Sequence, residues 1–242
     1  MILELERVTK KYGEKCALNG VSMTLSEGIY GLLGPNGAGK STMMNIITGN
    51  LRPTAGNVSW NGGDIYKLGR EYRAVLGYAP QHQGLYDAFS GRRFLCYMAA
   101  LKNIPRRVMK SEIERVLSYV NLTEAARKPI GAYSGGMKQR ILIAQAILGD
   151  PKIVVLDEPT AGLDPKERVR IREKIKDISG DKIILVSTHV VSDIQSIAKE
   201  IILLKNGEIL DRNTVPNLCT KYGSVGDLEQ VYMHLFGEDE RR

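Results

Sequence analysis

The chain has 242 residues, 43% of them hydrophobic, and its 34 Lys and Arg outweigh 27 Asp and Glu for a net charge of +7. That length favours one large domain, or one domain carrying an inserted lobe, and the apolar content suffices for a packed core. A bilayer-spanning chain is excluded, because the longest apolar runs, Ile141–Leu148 and Ile201–Leu204, fall far short of the ~20 residues required.

The basic excesses at 102–110 and 168–176 alternate with apolar helical positions. They read as solvated helix faces, and without interleaved aromatics they make no nucleic-acid platform. Glu4, Glu6 and Arg7 interrupt the N-terminus, which predicts no secretory leader. Three scattered cysteines, Cys16, Cys96 and Cys219, predict reduced thiols in a cytosolic chain without a metal or disulfide framework.

Met1–Val8 alternates apolar and polar residues and predicts a strand, followed by a turn at Thr9–Gly13. Within that turn Tyr12 can stack a flat base on its ring, although alone it also reads as an ordinary turn aromatic. Ala17–Leu25 is a second strand and Gly28–Leu33 a buried third. The third feeds Gly34-Pro35-Asn36-Gly37-Ala38-Gly39-Lys40-Ser41-Thr42, which fits the phosphate-loop pattern G-x-x-x-x-G-K-[ST] at every fixed position. The glycines let backbone N–H groups approach a polyphosphate, Lys40 adds charge for the outer phosphates, and the Ser41 hydroxyl can ligate Mg²⁺. A helix from Lys40 to Thr48 would direct its positive end at the same anion.

A dense turn region, Thr48–Gly56, precedes short strands at Asn57–Trp60 and Gly77–Ala79. Trp60, the only tryptophan, is expected to pack. Gln81 lies directly beyond the second of these strands and can aim its amide at a metal or a water; Gln83 competes for that role. Phe89–Ala126 reads as helical, broken at Pro105 and Asn121, with a core-facing stripe at Ile113, Val116, Leu117 and Val120. This is an inserted lobe, since Lys40 and the next acidic strand end stand much further apart than the ~30 residues of a strand–helix–strand unit.

Ser134 is placed as a helix N-cap, with Gly135 and Gly136 leaving the N–H groups of a helix from Met137 to Leu148 bare, a second seat for an anion. Plain capping explains Ser-Gly-Gly equally well. Lys152–Leu156 is an apolar strand ending in Asp157 and Glu158. Neighbouring strand residues point to opposite sides, so Asp157 can face the Mg²⁺ while Glu158 faces a water in line with the terminal phosphate. Pro165 opens a helix that runs to Ile178. Lys182–Ser187 is another buried strand with His189 at its C-terminal end, where nucleotide sites form; His82 and His234 have no such setting. A helix at Ser192–Ala198, a hairpin about Asn206-Gly207 and an amphipathic tail helix at Asp227–Phe236 complete the chain, with Glu238–Arg242 loose.

In this order the motifs resemble the nucleotide-binding subunits of ABC transporters over nearly the whole chain. Tyr12 matches that family's base-stacking aromatic, Gly34–Thr42 its Walker A loop and Gln81 its Q-loop. Tyr133–Met137 matches the signature motif, Ile153–Glu158 Walker B with its catalytic glutamate, Ala161–Asp164 the D-loop and His189 the switch histidine. The usual signature reads Leu-Ser-Gly-Gly-Gln; here Tyr133 and Met137 replace its ends while the Ser-Gly-Gly centre is intact. That form, and the ending Asp227–Tyr232, look most like the drug-, peptide- and polysaccharide-exporting branch.

The resemblance implies an α/β fold: a P-loop NTPase core with a parallel-rich sheet, an N-terminal antiparallel β subdomain and an inserted α-helical subdomain at about 89–149. Residues 1–223 would form the ATPase domain and 224–242 a short tail. It implies ATP and Mg²⁺ as cofactors, with nucleotide held by Tyr12, Gly34, Pro35, Asn36, Gly37, Ala38, Gly39, Lys40, Ser41 and Thr42, and metal by Ser41, Gln81 and Asp157. Glu158, His189 and Gln81 would serve hydrolysis. Ser134, Gly135, Gly136 and Asp164 would reach the nucleotide of a facing cassette, identical or related. ATP-driven dimerisation would power transport, in the export direction, through a separate transmembrane permease at the cytoplasmic face of the membrane. No nucleic-acid partner is expected. The rival readings are a soluble ABC-type ATPase acting on DNA or ribosomes, whose added coiled coils or zinc modules are not visible, and a phosphate-loop GTPase, whose Asn-Lys-x-Asp guanine reader is lacking.

Overall fold

Alternation of side chains along four apolar strands sets the architecture. Ile29, Val154, Leu156, Ile184, Val186, Ile201 and Leu203 bury into one hydrophobic core; their neighbours Tyr30, Ile153, Val155, Ile183, Leu185, Ile202 and Leu204 bury into a second on the other side. A strand buried on both faces belongs in a parallel sheet with cover on each side. The computed structural model of the chain, which describes residues 1–81, 84–223 and 227–237, has that form. His82, Gln83 and Glu238–Arg242 lie outside the described residues, as do positions 224–226 of the expected tail.

Strands β1 (Leu3–Tyr12), β2 (Lys15–Leu25) and β3 (Gly28–Leu33) lead into helix α1 (Lys40–Ile47). Then come β4 (Ala55–Trp60), β5 (Gly63–Asp64), α2 (Ile65–Leu68), α3 (Arg70–Ala74) and β6 (Leu76–Ala79). The helical lobe follows as α4 (Gly91–Leu101), α5 (Arg106–Tyr119) and α6 (Gly135–Ala146). The remainder is β7 (Ile153–Asp157), α7 (Pro165–Asp177), β8 (Ile183–Ser187), α8 (Val191–Ile194), β9 (Glu200–Lys205), β10 (Glu208–Asn213), α9 (Val215–Lys221) and α10 (Leu228–Phe236).

The second sheet has the order β10-β9-β3-β8-β7-β6, and every pairing in it except β10–β9 is parallel. The antiparallel first sheet has the order β2-β1-β4-β5 and shares the second core with α1. Because β3, β8, β7 and β6 are parallel neighbours, Gly34, Thr188-His189, Asp157-Glu158 and Pro80-Gln81 all emerge at one edge, the carboxyl end where such sheets hold ligands.

Some local expectations change. Thr9–Tyr12 continues β1 instead of turning, since it has partners on both sides: Thr9 faces Ala55, and Tyr12 faces Lys15. The turn shrinks to Gly13-Glu14. The expected helix at Ser192–Ala198 is the shorter α8. Helix α9, capped by Thr214, was not foreseen from the sequence. The helical insert breaks where Asn103 takes a left-handed conformation (φ 56°) just before Pro105, and its stripe of Ile113, Val116, Leu117 and Val120 is buried.

Helix α6 lies directly on β6. A Cβ added at Gly77 would stand 2.0 Å from the Ala146 carbonyl oxygen, a backbone atom that cannot swing aside. Gln145 ties the same two elements by donating to the Tyr78 carbonyl at 3.0 Å. Gly77→Ala is expected to lower the unfolding free energy by about 1–3 kcal/mol through overpacking, read as a shift in the urea midpoint at unchanged slope.

Candidate functional site

The phosphate loop is held from both sides. Lys40, the first residue of α1, folds its ammonium back onto the carbonyls of Gly34 (2.5 Å) and Pro35 (3.0 Å), while Gly207 of the β9–β10 turn donates to the Ala38 carbonyl at 2.9 Å. Gly39, at φ 109°, sits at the N-cap of α1 in a conformation only glycine adopts freely, and α1 has no side-chain cap. Its N-terminal amides are therefore left for an anion. Gly34 is required by space: a Cβ there would meet the Leu204 carbonyl oxygen at 2.1 Å. Burial lowers the Lys40 pKa, opposed by the charges of Glu158 and Asp157.

The acid pair is organised by β8. Ser187 is level with Asp157 and donates its hydroxyl to the Asp157 carboxylate. The Glu158 amide donates to the Ser187 hydroxyl at 3.2 Å and to its carbonyl at 3.1 Å. Glu158 takes a left-handed backbone, φ 50°, which costs a non-glycine residue about 1–3 kcal/mol and marks functional sites. The turn swings its carboxylate to His189, whose Nδ1 lies 2.8 Å from Oε2. Both carboxylates are buried, whereas the His189 side chain is 56% exposed.

These groups share walls. A cavity of about 350 Å³ brings Lys40 and Ser41 together with Gln81, Asp157 and Glu158, and Tyr12 stands at its mouth, half exposed. A second cavity, of about 660 Å³, continues from Gly34–Ala38 past Glu158 to His189. Four residues along these walls were not among the expected site residues: Lys15, Ala17, Asn206 and Tyr232. Lys15 is paired with Tyr12 across the β1–β2 turn, so a hairpin reading would have reached it. Asn206 and Tyr232 come from distant hairpin and tail positions, and nothing in their local sequence links them to the phosphate loop.

Ser134, Gly135, Gly136 and Asp164 stand apart from both cavities. Ser134 caps α6 by accepting from the Met137 amide (3.2 Å), and the glycines form the first turn of the helix instead of preceding it. Ser134 and Gly135 are exposed, and a Cβ at Gly135 would meet nothing. Tyr133, at the altered end of the motif, is buried and donates to the Ala125 carbonyl at 2.9 Å; Met137 packs on the core. Asp164 caps α7, accepting from the Glu167 amide at 3.0 Å, and is exposed.

The donors fit Mg²⁺. Ser41, Gln81 and Asp157 offer hard oxygens around one cavity, and the Ser187 hydrogen bond fixes the Asp157 carboxylate. Among the described residues there is no cluster of three or more His, Cys, Asp or Glu suited to a metal. Mg²⁺ needs none, because it takes one or two protein ligands plus phosphate and water. When bound it neutralises charge on the phosphate oxygens.

A parallel sheet with a phosphate loop on one strand and an acid pair two strands away defines a phosphate-loop nucleoside triphosphatase. Residues 18–161 match the family model described as ABC transporter, and the chain belongs to that family as an ATP-binding subunit and ATPase. It is 38% identical over 209 residues to the uncharacterized ABC transporter ATP-binding protein YxlF of Bacillus subtilis (strain 168), covering 86% of this chain and 69% of the relative. It is 34% identical over 224 residues to the linearmycin resistance ATP-binding protein LnrL of the same organism, covering 92% and 72%. The chain spans only 25% of ABC transporter A family member 8 of Dictyostelium discoideum, although 86% of it aligns there at 38% identity.

Among solved structures, the ATP-binding subunit of an ABC transporter superimposes with TM-score 0.87 at 26% identity over 97% of this chain and 99% of the other. A dimeric ATP-binding cassette bound to ADP and Pi superimposes with TM-score 0.79 at 28% identity, over 88% and 98%.

Lys40→Ala would remove the phosphate contact expected of this lysine, a charge-assisted hydrogen bond worth about 1.5–3 kcal/mol. ATP affinity is expected to fall about ten- to a hundredfold by calorimetric titration, while the melting temperature changes little.

Proposed function

We propose that this chain powers transport, in the export direction, through a separate membrane permease, and that two cassettes close head to tail on ATP to do so. The observation that carries the reading is the division of the site. Lys40, Ser41, Asp157, Glu158 and His189 gather at one sheet edge, while the anion-ready helix start at Ser134–Gly136 and the exposed Asp164 stand outside both cavities of the same chain. A facing copy would supply them. ATP would then bridge two surfaces by charge-assisted hydrogen bonds and act as the glue between them. The dimeric form of the related cassette with ADP and Pi supports this reading, and the name of the linearmycin resistance relative supports export.

Within the closed pair Tyr12 stacks the base, residues 34–42 wrap the phosphates, and Ser41, Gln81 and Asp157 face Mg²⁺. Glu158 takes a proton from the attacking water and His189 steadies the terminal phosphate. No helix among the described residues is long and apolar enough to cross a membrane, so the permease would be the membrane component, with this chain on its cytoplasmic face.

A groove of about 880 Å³ between the core and the helical lobe would seat a permease helix. Arg70 and Arg73 line one bank, Lys102 and Leu101 the other. That lining suits a helix tip carrying carboxylates. Burial depresses the Lys102 pKa to about 8. An acidic partner would raise it again, so docking should be at full strength below about pH 8 and weaken as pH rises above that towards the higher docked pKa.

Two measurements test the reading. Glu158→Gln should keep ATP affinity, lose hydrolysis by about a hundredfold or more, and accumulate an ATP-dependent dimer on size exclusion; a monomer at saturating ATP would remove the shared site. Arg70→Glu with Arg73→Glu should lose the membrane partner on detergent co-purification while keeping the ATPase rate of the free chain. Recovery with ribosomes or DNA instead would favour the soluble-ATPase alternative.

A further inference from the structure

Three carboxylates are buried among the described residues: Asp157, Glu158 and Asp193. The first two form the acid pair. Asp193 belongs to no motif read from the sequence. It lies on α8, four residues beyond His189, and a charge in such a place needs a partner. The partner is Arg168 on α7, four residues beyond Asp164. Arg168 donates from Nε to Oδ1 (3.3 Å) and Oδ2 (3.1 Å) and from Nη2 to Oδ2 (2.9 Å). One turn further along α7, Arg172 donates to the Ser192 carbonyl at 3.2 Å.

The ion pair closes a ring. The segment from Glu158 through Asp164 to Arg168 and the segment from His189 to Asp193 touch at both ends. Glu158 meets His189 at 2.8 Å at one end, and Arg168 holds Asp193 at the other. A buried ion pair is a poor source of stability compared with an apolar pair of the same volume. Its planar fork does fix the relative orientation of the two helices that carry it. The first helix is capped by Asp164, the residue proposed to face a second copy, and the second starts two residues after His189, the histidine proposed to face the terminal phosphate.

We propose that Arg168 and Asp193 are positioning residues for ATP hydrolysis: their ion pair makes Asp164 and His189 parts of one rigid unit, so contact of Asp164 with the facing copy sets the place of His189 against Glu158. The proposal rests on the roles given above to Asp164, Glu158 and His189.

The test compares Asp193→Asn, Arg168→Met, Arg168→Lys and the double variant Arg168→Met with Asp193→Asn, each assayed well below its own melting temperature for steady-state turnover and for ATP affinity. Misplacing a group by about 1 Å can lower a rate a hundredfold. Asp193→Asn and Arg168→Met are expected to lose about tenfold or more in kcat with ATP affinity unchanged, because the phosphate loop is untouched. Arg168→Lys, which keeps charge without the fork, should fall between these and the parent. The double variant should be no slower than either single one, since both remove the same interaction. Parental turnover in Asp193→Asn and Arg168→Met, whatever their melting temperatures, would reduce the pair to a brace and overturn the proposal. So would losses that multiply in the double variant. Should Asp193→Asn fail to fold, Arg168→Met and Arg168→Lys decide the matter alone. His189→Ala is measured alongside: if it turns over normally, the underlying assignment of His189 has failed, a result distinct from slow His189→Ala with fast Arg168→Met.

Discussion

One serine on a central strand holds the acid pair in place. Carboxylates at the ends of apolar strands lose water, and a buried charge without partners is expensive. Ser187 answers this for Asp157 with its hydroxyl, and the same residue receives the Glu158 amide. It can do so because β8 lies between β7 and β3, with Ser187 level with Asp157 on one side and Leu32 on the other. The strand order thereby brings the phosphate loop, the acids and His189 to one edge. The left-handed turn at Glu158 follows, since the chain must leave β7 abruptly to present the second carboxylate to His189.

In the proposed reading the same edge is only half of what a phosphate needs. The chain builds its second set of bare amides at the start of α6 and exposes them. Packing explains why they stay outside. Helix α6 is bound to the helical lobe and to β6, where Gly77 admits its backbone to direct contact. The Arg140 guanidinium, one turn along the helix, donates to the carbonyls of Val120 and Asn121 and pins α6 to the loop after α5. A surface held this firmly, yet without a partner in its own chain, fits association with a copy of itself.

Local chemistry made the phosphate loop, the acid strand and most strand positions legible in the sequence. Glycine, lysine and hydroxyl at fixed spacing have one economical use, and continuous Ile, Val and Leu have few. Features that depend on pairing at a distance were not legible. Thr9 reads as a turn residue until β4 is placed beside β1. The start of α6 at Gly135 follows from the Ser134 cap and overrides the poor helix propensity of two glycines. Asn206 and Tyr232 approach the loop only through tertiary packing. The pairing of Arg168 with Asp193 spans 25 residues and two elements, and nothing in either local context announces it.

Helix α6 ties two distant places together. Its last turn borders the basic groove through Gln145, and Lys102 and Arg115 donate to the carbonyls of Leu148 and Ile147 just past its end. Its first turn carries Ser134 as cap. Twelve residues of α-helix measure about 18 Å and scarcely stretch. If the lobe moves as one body, such a rod carries a displacement at its groove end to its far tip without any change in the helix itself.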